Sequence, residues 1–471
     1  MALILPGNVA SATASTTFSA DNSCRFNDGD SAQLRKTPSS AGNQDRWTFS
    51  AWIKRGSLGI TGKIFGCKTA DPDSYCQLSF RSSDDITFVN HYGGSSAGSF
   101  VTNRIFRDTS AWYSIVMIFD SGNSTAGDRM QLWVNGVRET SFASSSDPDA
   151  DQNGHVNSTN EHLVGGNISS GSYLQFFDGY MSEVVFLDGV AASPVDTLGE
   201  FDSDSPTIFK PKDPSGLTFG TNGFYLDFKA SGNLGNDANG GTDLTEDNLD
   251  ATDQATDSPT NNFCTLNPLT KWGGWGSSTG AVVLAQGNCH LDEATHASAV
   301  GTMATTNMKF YYEVKINASD FSMGVMGSQP EATSGQAYND PTAYGYYGES
   351  SQSYRITAGA WNTDATFSDT GIYHFAIDPT NNKLWVGKDG TWDGDPAAGS
   401  GEIVALGTHE YMPWVHSSGS AGDNSADVNF GGCSAFTVSS ANQDANGYGN
   451  FEFAVPSGFY SLCSANLAEY G

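Results

Sequence analysis

The chain has 471 residues, 22 Lys and Arg against 52 Asp and Glu, a formal net charge of -30 and a pI near 4.3. That sign is wrong for a nucleic-acid partner, whose phosphates call for a surplus of cations. Gly makes 54 residues and charged residues only 16%, so the builders of exposed helices give way to Gly, Ser, Thr, Asn and Asp, which belong to turns; 12% aromatics still allow a real core and exclude wholesale disorder.

The first 200 residues alternate apolar and polar side chains in short runs separated by turn residues, the mark of antiparallel strands. In chain order the runs are Trp47 to Ile53, Lys63 to Cys67, Tyr75 to Phe80, Ile86 to Asn90, Trp112 to Phe119, Arg129 to Val134 and Gly179 to Asp188. Asn135-Gly136 closes one of them as a tight hairpin. Residues 206 to 262 then change character: prolines at 206, 211 and 214 precede a stretch rich in Asp, Asn, Gly and Thr, which reads as a connector. A second series follows with Lys309 to Ile316, Phe321 to Met326, Tyr354 to Thr357, Tyr373 to Asp378, Lys383 to Gly387, Tyr411 to Val415, Asp427 to Phe430 and Phe451 to Val455. The expected fold is all-β, two antiparallel sandwiches over 1–205 and 263–471 joined by a loop-rich connector over 206–262.

Residues 1–138 carry 13 Lys and Arg against 11 Asp and Glu, which places the acidity in the later part and makes the near-neutral start the expected docking end. No apolar run approaches the ~18 residues of a membrane helix, so no membrane insertion is expected, and the start lacks the basic flank of a signal peptide. The seven cysteines form no Cys-x-x-Cys pair and read as buried thiols of a reducing compartment rather than as a disulfide framework or zinc site.

Arg25 to Ala32, Trp47 to Gly56, Gln131 to Gly136 and Phe177 to Gly189 resemble the concanavalin A-like, laminin-G-like lectin domains of tailed-bacteriophage virion proteins. Gly223 to Phe228, Asp253 to Phe263 and Leu266 to Leu269 resemble the connector of the same proteins. Lys309 to Ile316 through Lys383 to Gly390 is similar to SPRY-type sandwiches, and Val428 to Gly431 with Pro456 to Leu467 resembles the close of those virion proteins. The resemblance implies a concanavalin A-like jelly roll followed by a SPRY-like sandwich in a non-enzymatic fibre, spike, tail or head-surface protein. It further implies assembly in the host cytoplasm, a place on the virion surface among other virion proteins, homo-oligomers with a trimer favoured, and host surface polysaccharide as the target. Purely structural decoration stays an alternative reading, since the fold also serves as bare scaffold.

Catalysis finds little support. A lectin-like glucanase needs two carboxylates on one strand face, but Glu183 stands alone among valines and reads as an ordinary solvent-facing residue, so a polysaccharide depolymerase is disfavoured. Gly94 to Gly98 and Gly276 to Gly280 match Gly-x-Ser-x-Gly without the strand-turn-helix context of a nucleophile elbow. Asp147, Asp149 and Asp151 before Gly154 alternate as calcium ligands do, although Ser158 stands where a closing acid belongs; the alternatives are a Ca2+ loop and a solvated acidic turn. For glycan contact the aromatic and amide-rich loop with Tyr338, Asn339, Asp340, Tyr344, Tyr346 and Tyr347 is the first candidate and Trp272 with Trp275 the second. The same rings could cap a sandwich end or meet another subunit.

Overall fold

A computed structural model of the chain describes residues 18–68, 74–169, 172–269, 283–292, 298–317, 321–329, 337–348, 353–363, 370–417 and 425–471. They divide into two compact units, one ending at Thr260 and the other running from Asn261 to Gly471. Both are β-structures, and no helix among the described residues is long and apolar enough to cross a membrane.

In the first unit the alternating runs become antiparallel strands, because a period of two gathers their apolar side chains on one face. One sheet runs Val137–Arg138, Met130–Val134, Tyr113–Asp120, Arg46–Arg55, Gly179–Asp188, Ser23–Phe26, Gln254–Ala255, with Phe224–Leu226 also paired to Gly179–Asp188. The other runs Phe142–Ser146, Ser95–Ile105, Asp85–Tyr92, Tyr75–Phe80, Gly62–Lys68, His162–Val164, Gln33–Lys36, Thr245–Asp247. The sheets meet at Phe49 and Phe65, whose rings stack 4.5 Å apart in a core shared with Trp47, Phe88, Phe119 and Phe186. Asn135 and Gly136 take φ of 49° and 72° to turn their hairpin. A Cβ on Gly136 would stand 2.5 Å from the Phe209 ring, so the turn and the packing both require glycine there.

The stretch expected as a connector is built into this sandwich. Phe224–Leu226, Thr245–Asp247 and Gln254–Ala255 pair with strands from the start and middle of the unit, and Phe228, Leu234 and Leu244 enter its core. Few apolar residues suffice because the polar ones between them do structural duty. Asp237 Oδ1 accepts the Tyr225 amide at 3.0 Å, and buried Asp257 accepts from Lys54 Nζ at 2.6 Å and Trp112 Nε1 at 3.0 Å. With this stretch included, residues 18–260 carry 16 Lys and Arg against 32 Asp and Glu, and residues 261–471 carry 6 against 20. The negative charge is thus shared by the two units rather than held at one end. All seven cysteines are buried free thiols.

The second unit pairs a sheet ordered Val283–Ala285, His290–Asp292, Ala426–Asn429, Phe310–Ile316, Gly371–Asp378, Lys383–Lys388, Thr391–Trp392 with one ordered Ser298–Val300, Tyr411–Ser417, Phe321–Gly327, Tyr344–Gly348, Ser353–Thr357, Ala360–Thr363. Tyr312 spans the two: its ring stacks on Phe375 at 4.9 Å, and its hydroxyl donates to the Gly324 carbonyl at 2.5 Å. The expected strand Phe451 to Val455 does not form. The buried Glu313 carboxylate accepts the amides of Glu452 and Phe453 at 3.0 and 2.8 Å, taking the donors a sheet partner would have used. A short helix, Ser464–Tyr470, ends the chain.

Candidate functional site

The Tyr338 to Gly348 segment is a 3-10 turn, Ala337–Asn339, followed by the strand Tyr344–Gly348. Tyr344 and Tyr346 face the sandwich core, Tyr346 at 2% exposure against Tyr373, and rings so placed offer no face to a sugar. Tyr338 and Tyr347 belong to a buried layer on the opposite face, with Trp414 and Met326. There the cross-strand row Trp414, Gly324, Gly345, Ile356, Trp361 is pinched at its glycines. A Cβ on Gly345 would lie 2.0 Å from the Met323 carbonyl oxygen, so the strands approach only without side chains. The Tyr338 ring lies against His416 and Trp361, 4.9 Å from each. Asp340 is buried and accepts the amide and hydroxyl of Thr342 at 2.8 and 2.6 Å, and Asn339 is exposed. Trp361 alone among these rings is an exposed large side chain, at 39%. Trp272 and Trp275 lie outside the described residues, as does the Gly276 to Gly280 motif.

Asp147, Asp149 and Asp151 are exposed on a turn pinned by the Asp151 amide, which donates to the Ser121 carbonyl at 3.0 Å. Among the described residues no three His, Cys, Asp or Glu side chains are placed to hold a metal ion. Glu183 is not solvent-facing. It sits at a bulge with φ of 50° between Ser182 and Val185, is 4% exposed, and accepts the Tyr225 hydroxyl, while its Oε1 has no partner. The extra residue at the bulge keeps Met181, Val184 and Phe186 in the sandwich core and leaves Glu183 on the opposite face, buried beneath Tyr225. Burial pushes the carboxyl up to about 8. Asp178 is likewise buried; desolvation raises it to about 7 although Ser57 donates to it.

A different surface gathers the chemistry that sugars need: the outer face of the second sheet of the first unit, with the two-stranded hairpin of Asn167–Ser169 and Ser172–Leu174 beside it. Strand Tyr75–Phe80 sends Cys76, Leu78 and Phe80 into the core and leaves Tyr75, Gln77 and Ser79 on the other side. Tyr75 pairs with His91, and the two rings stack 5.0 Å apart, 9° from parallel, both half-buried. On the far side of Gln77, Arg35 Nη1 donates to Glu161 at 3.0 Å and to the Tyr173 hydroxyl at 3.2 Å, and Tyr173 donates to Glu161 at 3.1 Å. Asp247 completes this cluster and holds the guanidinium charged. Tyr173 is 37% exposed. Between the two aromatic groups an amide chain runs from Gln77 Nε2 to Asn167 Oδ1 at 2.8 Å and from Asn167 Nδ2 to Gln175 Oε1 at 3.3 Å. At its root, Lys63 donates to Gln77 Oε1 at 2.8 Å. Aromatic faces for the apolar side of a pyranose, with amides and charged groups for its hydroxyls, are what saccharide recognition requires. The sequence carried one signal for this site, the strict alternation of Tyr75, Gln77 and Ser79 opposite the core residues.

Residues 26–193, which include this face except for Asp247, match the Laminin_G_3 family, described as the Concanavalin A-like lectin/glucanases superfamily. No curated protein matches the chain. Among solved structures, a "putative carbohydrate binding protein" from Bacteroides ovatus ATCC 8483 is 16% identical over 50% of this chain and 62% of that one, with a TM-score of 0.34. The heptameric SAP-like pentraxin of Limulus polyphemus is 16% identical over 38% of this chain and 81% of its own, with a TM-score of 0.28. The TRIM65 PSpry domain is 9% identical over 36% of this chain and 89% of its own, with a TM-score of 0.27. The chain thus spans 62% of the length of the first of these.

Proposed function

We propose that this protein is a non-catalytic, lectin-type component of a phage virion surface that binds host-cell polysaccharide through the outer face of the second sheet of its first sandwich. The observation that carries the reading is the pair of part-exposed aromatic groups, Tyr75 with His91 and Tyr173 with Arg35, set on either side of an amide chain. The match of residues 26–193 to a lectin/glucanases superfamily supports the glycan-binding part of it. Glu183 adds no catalytic pair, because its carboxylate is engaged by Tyr225 inside the fold.

A polysaccharide array probed with the full chain tests this. Binding to at least one bacterial surface glycan is expected, with Y75A and Y173A each weakening it about fivefold to tenfold, the worth of one aromatic stacking contact. Release of reducing sugar would replace the reading with an enzyme. For the second sandwich the burial of Tyr344 and Tyr346 favours a structural role, as spacer or subunit contact in an oligomer. Immunogold labelling of purified particles tests the virion placement, and particles without label would remove it.

A further inference from the structure

We propose that Lys63 is the seat of an acidic sugar, a carboxylate-bearing unit of a polysaccharide laid along this face. The inference rests on the glycan-binding reading above. Lys63 is 8% exposed, and among the described residues its ammonium meets only neutral acceptors, Gln77 Oε1 at 2.8 Å and Ser79 Oγ at 3.4 Å. Other buried cations in the unit behave differently: Lys54 meets Asp257, Arg25 meets Asp253 and Arg55 meets Asp84. An ammonium has three N–H donors, so one of Lys63's remains for a ligand. A buried cation without a counter-charge is costly, and burial, with no carboxylate to oppose it, holds the Lys63 pKa down to about 8.

In a chain with more than two acids for every base, a carboxylate partner would be easy to supply from within. Its absence at a cation set in a saccharide-type face points to a counter-ion brought by the ligand. The surroundings fix the class. Asn167 and Gln175 offer hydroxyl-binding amides beside Lys63. Tyr75 lies four residues along the strand from Ser79, about 13 Å at ~3.3 Å per residue, far enough for another ring of the same polymer. An inorganic anion would not use the Tyr75 ring.

The experiment compares native protein, K63Q and K63R as full chains against polygalacturonate and its fully methyl-esterified, neutral form, by calorimetry, with melting curves to verify folding. The native chain should prefer the acidic polymer. K63Q should lose that preference by about tenfold or more, the worth of one charge-assisted hydrogen bond, and K63R should retain most of it. A preference untouched in K63Q overturns this inference and leaves the glycan reading standing; a native chain that binds neither polymer overturns both. Free galacturonate displacing the polymer at equal concentration of carboxylate would reassign Lys63 to small anions and also overturn it. Should K63Q not fold, acylation of Lys63 in the native chain at about pH 8, read by mass spectrometry, decides: the acidic polymer should slow it, and unchanged labelling refutes the site.

Discussion

Replacing Glu183 with Gln keeps the size of the side chain and an acceptor for the Tyr225 hydroxyl while removing the titration. In the folded chain, burial raises this carboxyl from 4.5 to about 8. Between those values the folded state holds a proton that the unfolded state has released. The stability this lends is complete below pH 4.5 and is lost as the pH climbs through 8. A shift of about 3.5 units at about 1.36 kcal/mol each gives a swing of about 5 kcal/mol, taken without a solvent discount because Glu183 is 4% exposed. E183Q lacks the swing and carries instead a fixed cost of about 1–3 kcal/mol, since an amide NH2 replaces an oxygen that has no partner. E183Q should therefore be the less stable protein near pH 5 and the more stable above pH 8. Urea titration of the full chain from about pH 5 to about pH 9, read through amide hydrogen exchange in peptides covering 179–188, measures the first unit separately. A stability gap between the two proteins that does not move with pH would refute the reasoning.

Asp257→Ala strips the buried counter-charge from Lys54 and should cost about 3–5 kcal/mol in the same assay; a loss below about 1 kcal/mol would show that the pair does not hold the unit together. Gly345→Ala forces a Cβ against the Met323 carbonyl and should destabilise the second unit by about 3 kcal/mol, visible as a lower urea midpoint. A fragment 18–260 should give a cooperative unfolding transition, whereas 18–205, lacking Phe224–Leu226, Thr245–Asp247, Gln254–Ala255 and Asp257, should not; equal cooperativity in the two would contradict the placement of residues 206–260. Asp178→Asn should stabilise the first unit increasingly as the pH rises toward 7, since its folded carboxyl is raised to about that value, and a pH-independent effect would count against it.

The strands were legible wherever alternation was clean: Tyr75–Phe80 and Gly179–Asp188 fall on their predicted bounds. Three kinds of residue escaped. Thr245–Asp247 and Gln254–Ala255 form strands only because their partners lie more than 200 positions earlier, and Phe224–Leu226 pairs about 40 positions back; local composition cannot report a distant partner. Glu183 and Lys63 each flank a bulge, where a single extra residue resets which side chain faces inward. Tyr344 and Tyr346 looked like loop aromatics because Asn339, Asp340 and Pro341 precede them, yet their two-residue spacing already placed both on one strand face. The site followed the same rule: its members come from seven separate strands and the segments beside them, and only the fold brings them together.

In the first unit Ser23–Phe26 pairs with Gln254–Ala255. In the second, the Asn262 carbonyl accepts the Ser464 amide at 2.7 Å and the Cys264 amide reaches the Leu462 carbonyl at 2.9 Å. Each unit is entered and left at neighbouring points. A body closed in this way can be set into a loop of another protein, or strung in tandem, without disturbing its host, so each half has the form of an exchangeable cassette. It also cannot finish folding on the ribosome until its last strand or turn has emerged, which leaves a long interval in which its early edges stand open to neighbouring copies.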